Sequence, residues 1–210
     1  MTTMRHLTAV LLLALLTGCA GIVDKPVRPT LYDFGPGQVT APATQQITRQ
    51  PLVLADIDAS GALEGSSVLY RLGYADDHQL RPYAQARWSS PPPQLLRQRL
   101  REQIGRERIV LNPGEGAALA RSGGTLPRAL RIELEEFSHL FQSPQQSVGL
   151  VRLRATLLEN TAGGEKLLAQ RNVVVQRPAP TADAPGGVRA LTAAVDAAAD
   201  ELVQWLAQVP

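Results

Sequence analysis

The stretch RALRIELEEFSHLF, residues 128–141, has the pattern of a long β-strand and decides the fold class of this chain. Leu130, Ile132 and Leu134 alternate with polar residues, so they share one face of the strand. The apolar positions shift by one residue near Glu135, as they do at a β-bulge. A strand with one apolar face predicts a sheet that packs against a core.

Two further strands follow this one. SVGLVRLRATLLEN, residues 147–160, alternates apolar with polar residues. TAGGE, residues 161–165, has the composition of a hairpin turn, and KLLAQRNVVVQRP, residues 166–178, returns beside the preceding strand. Residues 128–178 therefore predict three antiparallel strands.

The first half of the chain predicts shorter strands. PLVLADIDA, residues 51–59, is apolar on both faces, which favours a buried position. SVLYRLGYA, residues 67–75, alternates more regularly, and LRPYAQARW, residues 80–88, should return beside it after a turn at Asp76 and Asp77. The proline in the returning segment restricts it to a sheet edge or an irregular start.

Two helices complete the pattern. SSPPPQLLRQRLREQIGRE, residues 89–107, begins with a serine cap and prolines and then places apolar residues at a spacing of four. Residues 188–209 carry apolar residues at spacings of three and four, which indicates one buried face. We favour docking of that face on the sheet of its own domain, with a partner helix or a lipid surface as alternatives. RIVLNP, residues 108–113, predicts a short strand, and GEGAALARSGG, residues 114–124, predicts a loop with one helical turn.

The N-terminus has the layout of a secretory signal peptide. An apolar run of about ten residues follows Arg5, which is too short to span a membrane, since about 20 are needed. LTGC, residues 16–19, then resembles the bacterial lipobox, and Cys19 is the only cysteine in the chain. We expect cleavage before Cys19 and acylation of this residue, with a free thiol as the alternative. Ala20 favours the outer membrane, because a retention signal usually has aspartate at this position.

The predicted fold class is α/β (α+β). We expect a single compact domain with a small mixed or antiparallel sheet packed by two main helices, after a lipoprotein signal peptide. The expected boundaries are residues 1–18 for the signal peptide, 19–29 for an acylated tether and 30–210 for the domain, a length that suits one hydrophobic core.

Composition argues against several classes of protein. Removal of the signal peptide takes away Arg5, so the formal net charge falls from +2 to +1, which indicates neither a nucleic-acid binder nor a strongly acidic module. Aromatic residues make up 4% of the chain, which argues against a base-stacking surface. A single cysteine excludes an intramolecular disulfide and a cysteine-rich zinc site.

The sequence offers no convincing catalytic constellation. His78 and His139 are predicted in different elements. Glu133 and Glu135 share a polar strand face and should be solvated, with an acid/base pair as a minor alternative. The GEG at residues 114–116 lacks the third glycine of a dinucleotide-binding loop. We therefore expect no enzymatic activity, no metal and no cofactor.

The predicted helix after Pro93 is rich in arginine. Arg97 and Arg101 could meet anionic lipid headgroups or an acidic partner. We favour a solvated helix face on which arginines are interleaved with Glu102 and Glu107.

The segment VLYRLGYADDHQLRPYAQARWSSPPPQLLRQRL, residues 68–100, resembles the ABC-type transport auxiliary lipoprotein family. The resemblance rests on the Tyr-Arg pair at 70–71, on Tyr83 with the Arg-Trp pair at 87–88, and on the proline-started helix that follows. It extends over most of the mature chain.

This resemblance implies a compact α/β domain that is a non-catalytic part of a transport system. The implied partners are an MCE-domain substrate-binding protein, an ABC permease and an ATPase, which together move phospholipids, sterols or other hydrophobic molecules. Our leading hypothesis is a docking lipoprotein that is anchored in the outer membrane and faces the periplasm. A periplasmic lipid carrier and a hydrolase of envelope polymers are the alternatives, and self-association stays open.

Four aromatic residues in the resembling segment also have two interpretations. They are Tyr70, Tyr74, Tyr83 and Trp88. We favour packing between neighbouring strands, and contact with the MCE partner or with acyl chains is the alternative.

Overall fold

The computed structural model describes residues 27–37, 49–121, 126–161 and 163–209. The predicted signal peptide, Cys19 and most of the predicted tether lie outside these residues.

The described residues form eight strands, three α-helices and one 3-10 turn. The strands are β1 (Thr30–Tyr32), β2 (Arg49–Ala59), β3 (Ser67–Leu72), β4 (Asp76–Trp88), β5 (Arg108–Leu111), β6 (Arg128–Phe141), β7 (Ser147–Thr161) and β8 (Gly164–Pro178). The helices are α1 (Pro92–Ile104), α2 (Pro113–Arg121) and α3 (Ala184–Gln208), and the 3-10 turn spans Gly61–Leu63. All eight strands belong to one mixed sheet, which confirms the predicted α/β class with more strands than the small sheet we expected.

Strand β6 lies at the centre of this sheet. On one side it pairs antiparallel with β7, which pairs antiparallel with β8, as the sequence predicts. On the other side it pairs in parallel with two strands in succession, β2 opposite residues 128–134 and β3 opposite residues 139–141. Strand β5 pairs in parallel with β2. Strand β4 pairs antiparallel with β3, and β1 pairs in parallel with β4. The predicted bulge is present, because the register with β7 shifts between Leu134 and Glu136.

Helices α1 and α3 cover one face of the sheet. Leu96 and Leu100 of α1, and Leu191 and Leu202 of α3, are completely buried. Their packing partners in the same core come from alternate positions of four strands: Leu54, Leu130, Ile132, Leu153 and Val173. Burial of each such side chain contributes about 1.5–3 kcal/mol, so this layer supplies much of the hydrophobic stabilisation. The C-terminal helix therefore docks on the sheet of its own domain, as we favoured.

For residues 114–124 we predicted a loop with one helical turn, and this prediction was wrong, because helix α2 spans Pro113–Arg121. The Glu115 carboxylate accepts a hydrogen bond from the backbone N–H of Asn112 (2.6 Å), which stabilises the first turn. The same hydrogen bond lowers the pKa of Glu115. A Cβ on Gly116 would lie 2.5 Å from Cγ2 of Val53, so glycine allows α2 to pack closely on the sheet. Of the glycines that favoured a loop in the sequence, Gly116 serves helix packing instead.

Two element boundaries also differ from the prediction. The turn between β3 and β4 is formed by residues 73–75, so Asp76 and Asp77 open β4 instead of marking the turn. Helix α1 begins at Pro92 with Pro91 as its N-cap residue, and no side chain caps it. Consecutive prolines start the helix without a serine cap because their φ is already fixed and they have no N–H to satisfy.

A buried arginine joins α1, α3 and the segment after β1. The side chain of Arg99 is 7% exposed, and its Nη1 lies 3.3 Å from Oδ1 of Asp196. Its Nη2 also donates to the carbonyl oxygens of Phe34 and Gly35. These acceptors compensate for the removal of the guanidinium from water. Burial raises the pKa of Asp196, and Arg99 opposes that shift.

Gly149 of β7 permits close approach of α3 to the sheet. A Cβ at this position would lie 2.4 Å from the backbone carbonyl carbon of Ala190 and 2.4 Å from the backbone nitrogen of Leu191. We therefore expect Gly149→Ala to displace α3 and to lower the free energy of unfolding by about 1–3 kcal/mol. Urea denaturation followed by far-ultraviolet circular dichroism measures this change.

Gly65→Ala is the matched control for this prediction. A Cβ on Gly65 would meet no atom within 4 Å, so we expect a change within about 0.5 kcal/mol. Equal stabilities of the two variants would contradict the claim that Gly149 sets the spacing between helix and sheet.

Candidate functional site

Strand β4 is irregular where the aromatic motif residues lie. Ser67 of β3 pairs with Arg87, and Leu69 pairs with Pro82. Between these two pairs β4 therefore has more residues than β3. Pro82 therefore lies at an irregularity inside β4 and not at its start, but the predicted edge position holds, because among the described residues β1 pairs only with residues 86–88 of β4. Nη1 of Arg87 donates to the carbonyl oxygen of Tyr83 (2.5 Å), which stabilises the irregular segment.

Tyr83 joins an aromatic cluster around His139. Its hydroxyl lies 2.8 Å from Nδ1 of His139, and the centre of its ring lies 4.6 Å from that of Tyr70. Tyr70 is the register partner of His139 between β3 and β6. The rings of His139 and Phe141 are 4.4 Å apart. Tyr70 and Tyr83 thus pack between strands, in the arrangement that we favoured for them.

His139 is completely buried beneath the start of α3. A Cβ on Gly187 would lie 2.4 Å from Nδ1 of His139, so this glycine lets the helix rest on the imidazole. Within the described part of the chain, Nε2 of His139 has no hydrogen-bond partner. Burial lowers the pKa of His139 to about 4, although the carboxylate of Asp183 opposes the shift. Burial also raises the pKa of Tyr83, so both groups are uncharged at neutral pH.

Arg71 connects the same strands on the other face of the sheet. Its Nε and Nη2 donate to the two carboxylate oxygens of Glu136 at 3.2 and 3.0 Å. Its Nη1 donates to the carbonyl oxygen of Asp77 at 3.0 Å. A two-pronged pair of this kind has a defined geometry, so the Tyr-Arg pair fixes β3 to β6 on both faces.

Trp88 belongs to the core. It is 1% exposed, and its ring lies 5.5 Å from those of both Phe34 and Phe137. A partner or an acyl chain outside the domain does not reach this side chain. Of the two interpretations of Trp88, the structure therefore favours packing over contact with a partner or an acyl chain.

Tyr74 is the aromatic motif residue with the largest exposed fraction. It is 49% exposed, in the turn between β3 and β4. Asp76, Asp77 and His78 beside it bring their ligand atoms within 4.8 Å of one another, and all three are exposed. Exposed groups of this composition are common without an ion, so we assign no metal to them. Tyr74 keeps both of its interpretations.

Arg97 and Arg101 bind within the domain, at the place where β5 ends. Arg97 donates to the carbonyl oxygens of Leu54 (3.1 Å) and Ala55 (3.3 Å) of β2. Both arginines donate to Oδ1 of Asn112, at 2.8 and 2.9 Å. The side chain of Arg97 is 23% exposed and that of Arg101 is 40% exposed. The two residues therefore connect α1 to β2 and β5, and only part of each faces solvent.

A groove of about 710 Å³ lies beside these arginines. One wall is formed by residues 56–59 at the end of β2, and the other by the first turns of α1, including Gln94 and Gln98. Glu64 also lines it. The lining combines charged and amide groups with apolar groups of residues such as Ile57 and Pro91, a mixture that suits a peptide ligand.

The carboxylates of β6 do not form an isolated acid/base pair. Arg154 lies 3.5 Å from Glu133 and 2.6 Å from Glu135, and Arg152 lies 3.0 Å from Glu135. These residues form an ion-pair network on a sheet face. Since Glu133 and Glu135 are both paired with arginines, the structure does not support the acid/base alternative.

None of the helices that the structure describes is long and apolar enough to span a bilayer. The predicted lipidation site, Cys19, lies outside the described residues. Its role therefore stays a prediction.

The fold and the motif residues together define a class: a single α/β domain with a mixed sheet, in which motif tyrosines and arginines make side-chain contacts between strands. Residues 32–203 match the family described as ABC-type transport auxiliary lipoprotein component. The chain belongs to this family, which confirms the resemblance of residues 68–100 and makes the chain a transport auxiliary component by family.

Solved structures share the fold. Protein XCC0632 from Xanthomonas campestris has a TM-score of 0.65 and 18% identity, over 84% of this chain and 94% of that chain. An uncharacterized protein has a TM-score of 0.61 and 14% identity, over 85% and 99% of the two chains. Hypothetical protein CT253 from Chlamydia trachomatis has a TM-score of 0.51 and 7% identity, over 77% and 98%. No curated protein sequence matches this chain.

Sequence reasoning missed the contact between Tyr83 and His139. The signal that could have indicated it is the alternation of Phe137, His139 and Phe141 after the bulge, which places His139 among apolar residues on a buried face. The contact itself also needs the irregular register of β4, which the sequence does not specify.

Burial of His139 predicts a specific loss of stability in acid. The unfolded chain protonates this residue with a pKa near 6.5, whereas the folded chain does so near 4. The stability that neutral His139 contributes is therefore complete above about pH 6.5 and is lost as the pH falls to about 4, by about 3 kcal/mol. Urea denaturation at half-unit pH steps measures this loss.

We expect His139→Gln to flatten this part of the pH profile, whatever its effect on absolute stability. His78→Gln is the matched control, because the His78 side chain is 93% exposed. If His139→Gln kept the wild-type slope between pH 6.5 and 4, another group would be responsible.

Proposed function

We propose that this chain is a non-catalytic docking component of an MCE-type ABC transporter, anchored in the outer membrane and facing the periplasm. Its partners are an MCE-domain substrate-binding protein, a permease and an ATPase, and the system moves phospholipids, sterols or other hydrophobic molecules across the envelope. The observation that carries this proposal is the family match over residues 32–203.

The anchor of this proposal is Cys19. Attachment by more than one acyl chain is stable, since each buried methylene contributes about 0.8 kcal/mol. The ten residues 20–29 reach at most about 30–35 Å when extended. The domain would therefore stay close to the membrane while its far side faces a periplasmic partner.

Packing between the sheet and the helices supports docking over lipid carriage. A carrier needs a cavity lined mainly by apolar groups. The space where such a cavity would lie, between the sheet and α1 and α3, is occupied by completely buried side chains such as Leu96, Leu130 and Leu191. Two open grooves of about 710 and 470 Å³ lie at the end of β2 instead, and each combines carboxylates with apolar groups.

Crosslinking in intact cells tests the choice of partner. We would place benzoylphenylalanine at Tyr74, at Gln98 or at Val174, three exposed positions in different parts of the domain. The proposal expects an MCE-domain protein or a permease to be captured from at least one position. Capture of neither class, by probes that do crosslink other proteins, would contradict the proposed partnership.

Substitution of Cys19 tests the anchor. We expect Cys19→Ser to abolish incorporation of an alkyne-labelled fatty acid and to release the chain from the membrane fraction. Ala20→Asp is the matched control, since it keeps the acceptor cysteine and should retain the label. Equal labelling of Cys19→Ser and the wild type would exclude this lipidation site.

Native mass spectrometry separates docking from carriage. We expect the full chain, purified in mild detergent, to show the mass of the acylated protein with no additional lipid. A stoichiometric extra lipid that survives removal of detergent would favour the carrier alternative.

A further inference from the structure

Strand β2 extends beyond its neighbour β5. The register between them includes Arg49, Leu52 and Val53, and β2 then continues to Ala59. Arg97 covers the next two carbonyl groups of β2, as described above. Within the described ranges, no strand pairs with this side of residues 56–59, while the other side pairs with β6. Since a strand directs its N–H and C=O groups alternately to its two sides, some of these groups face the groove.

The groove in front of this edge has the size for an added strand. Residues 56–59 span about 13 Å at about 3.3 Å per residue. The volume of about 710 Å³ lies within the range of ligand sites, and the opposite wall of α1 carries the exposed amides of Gln94 and Gln98. An extended segment can therefore lie between β2 and α1, in line with β5.

Acidic side chains surround this edge. Asp56, Asp58 and Glu64 line the groove. Asp56 lies 3.3 Å from Arg97, whereas Asp58 and Glu64 make no ion pair with any described residue. The lining holds three carboxylates and two arginines, so it carries one net negative charge. A basic side chain on an added strand would therefore meet unbalanced carboxylates.

We propose that the groove between β2 and α1 binds an extended peptide segment with basic side chains, which adds as a strand beside residues 56–59. Backbone hydrogen bonds hold the segment, and its lysine or arginine side chains meet Asp58 and Glu64. This binding mode goes beyond the proposed docking function and holds whichever protein supplies the peptide.

The same charges argue against a second copy of this chain as the occupant. Two β2 edges that met in a dimer would bring Asp56 and Asp58 close to the carboxylates of the other copy, and like charges on paired strands are destabilising. Charge on an open edge is a recognised protection against such pairing. A basic partner segment removes this repulsion.

Fluorescence anisotropy with the full chain in mild detergent tests the proposal. The probe is a labelled peptide in which threonine or valine alternates with lysine. We expect it to bind, whereas a peptide with glutamate for lysine should not. A third peptide, with proline at alternate positions, keeps the lysines but loses backbone donors, and it should bind at least tenfold more weakly.

Two variants locate the binding. Asp58→Lys reverses an exposed charge and should weaken binding of the lysine peptide about fivefold or more. Gln98→Trp should fill the groove and abolish binding without disturbing the core, because Gln98 is exposed. The matched controls are Asp77→Lys and Gln145→Trp, which are exposed and remote from the groove, and both should bind as the wild type does.

Three results would overturn the proposal. Equal binding of the proline peptide would exclude strand addition, and equal binding of the glutamate peptide would exclude the charge selection. A peptide-independent dimer that Gln98→Trp dissolves would make a second copy the occupant.

Discussion

The close contact between α3 and the sheet is the constraint on which the rest of the structure depends. Gly149 of β7 and Gly187 of α3 remove the two Cβ atoms that would otherwise separate the layers. The approach buries the leucines of the core and also covers His139. His139 in turn contacts the hydroxyl of Tyr83, so the residues packed beneath α3 extend to β4.

Arginines provide a second set of constraints, at places where the sheet is irregular. Arg87 stabilises the irregular part of β4, Arg97 covers the edge of β2 beyond β5, and Arg99 holds the chain after β1. In each case a guanidinium donates to carbonyl oxygens that regular strand pairing does not satisfy. A guanidinium suits this task because it offers several donors in one plane. These arginines therefore stabilise the fold, although composition alone would assign them to the surface.

Much of the fold follows from the sequence, because its longest elements have clear periodicity. Alternation predicts β6, β7 and β8, and a spacing of three and four predicts α3. Helix α2 escapes prediction because Gly114 and Gly116 have low helix propensity, and the reason for Gly116 is contact with Val53, which is distant in sequence. The sharing of one edge of β6 by β2 and β3 also depends on tertiary packing, so no local pattern reveals it.

The site is less predictable than the fold for a related reason. Tyr70, Tyr83 and Trp88 are recognisable as motif residues, yet burial decides whether an aromatic ring is a contact or a core residue, and burial depends on all the packed layers. Arg97 was a candidate contact in the sequence and forms part of the sheet edge in the structure. A motif side chain that donates its hydrogen bonds within the domain has fewer donors left for a partner. If the open edge of β2 takes a partner strand as we propose, the motif acts on recognition through the backbone geometry that it fixes, because Arg97 shapes that edge.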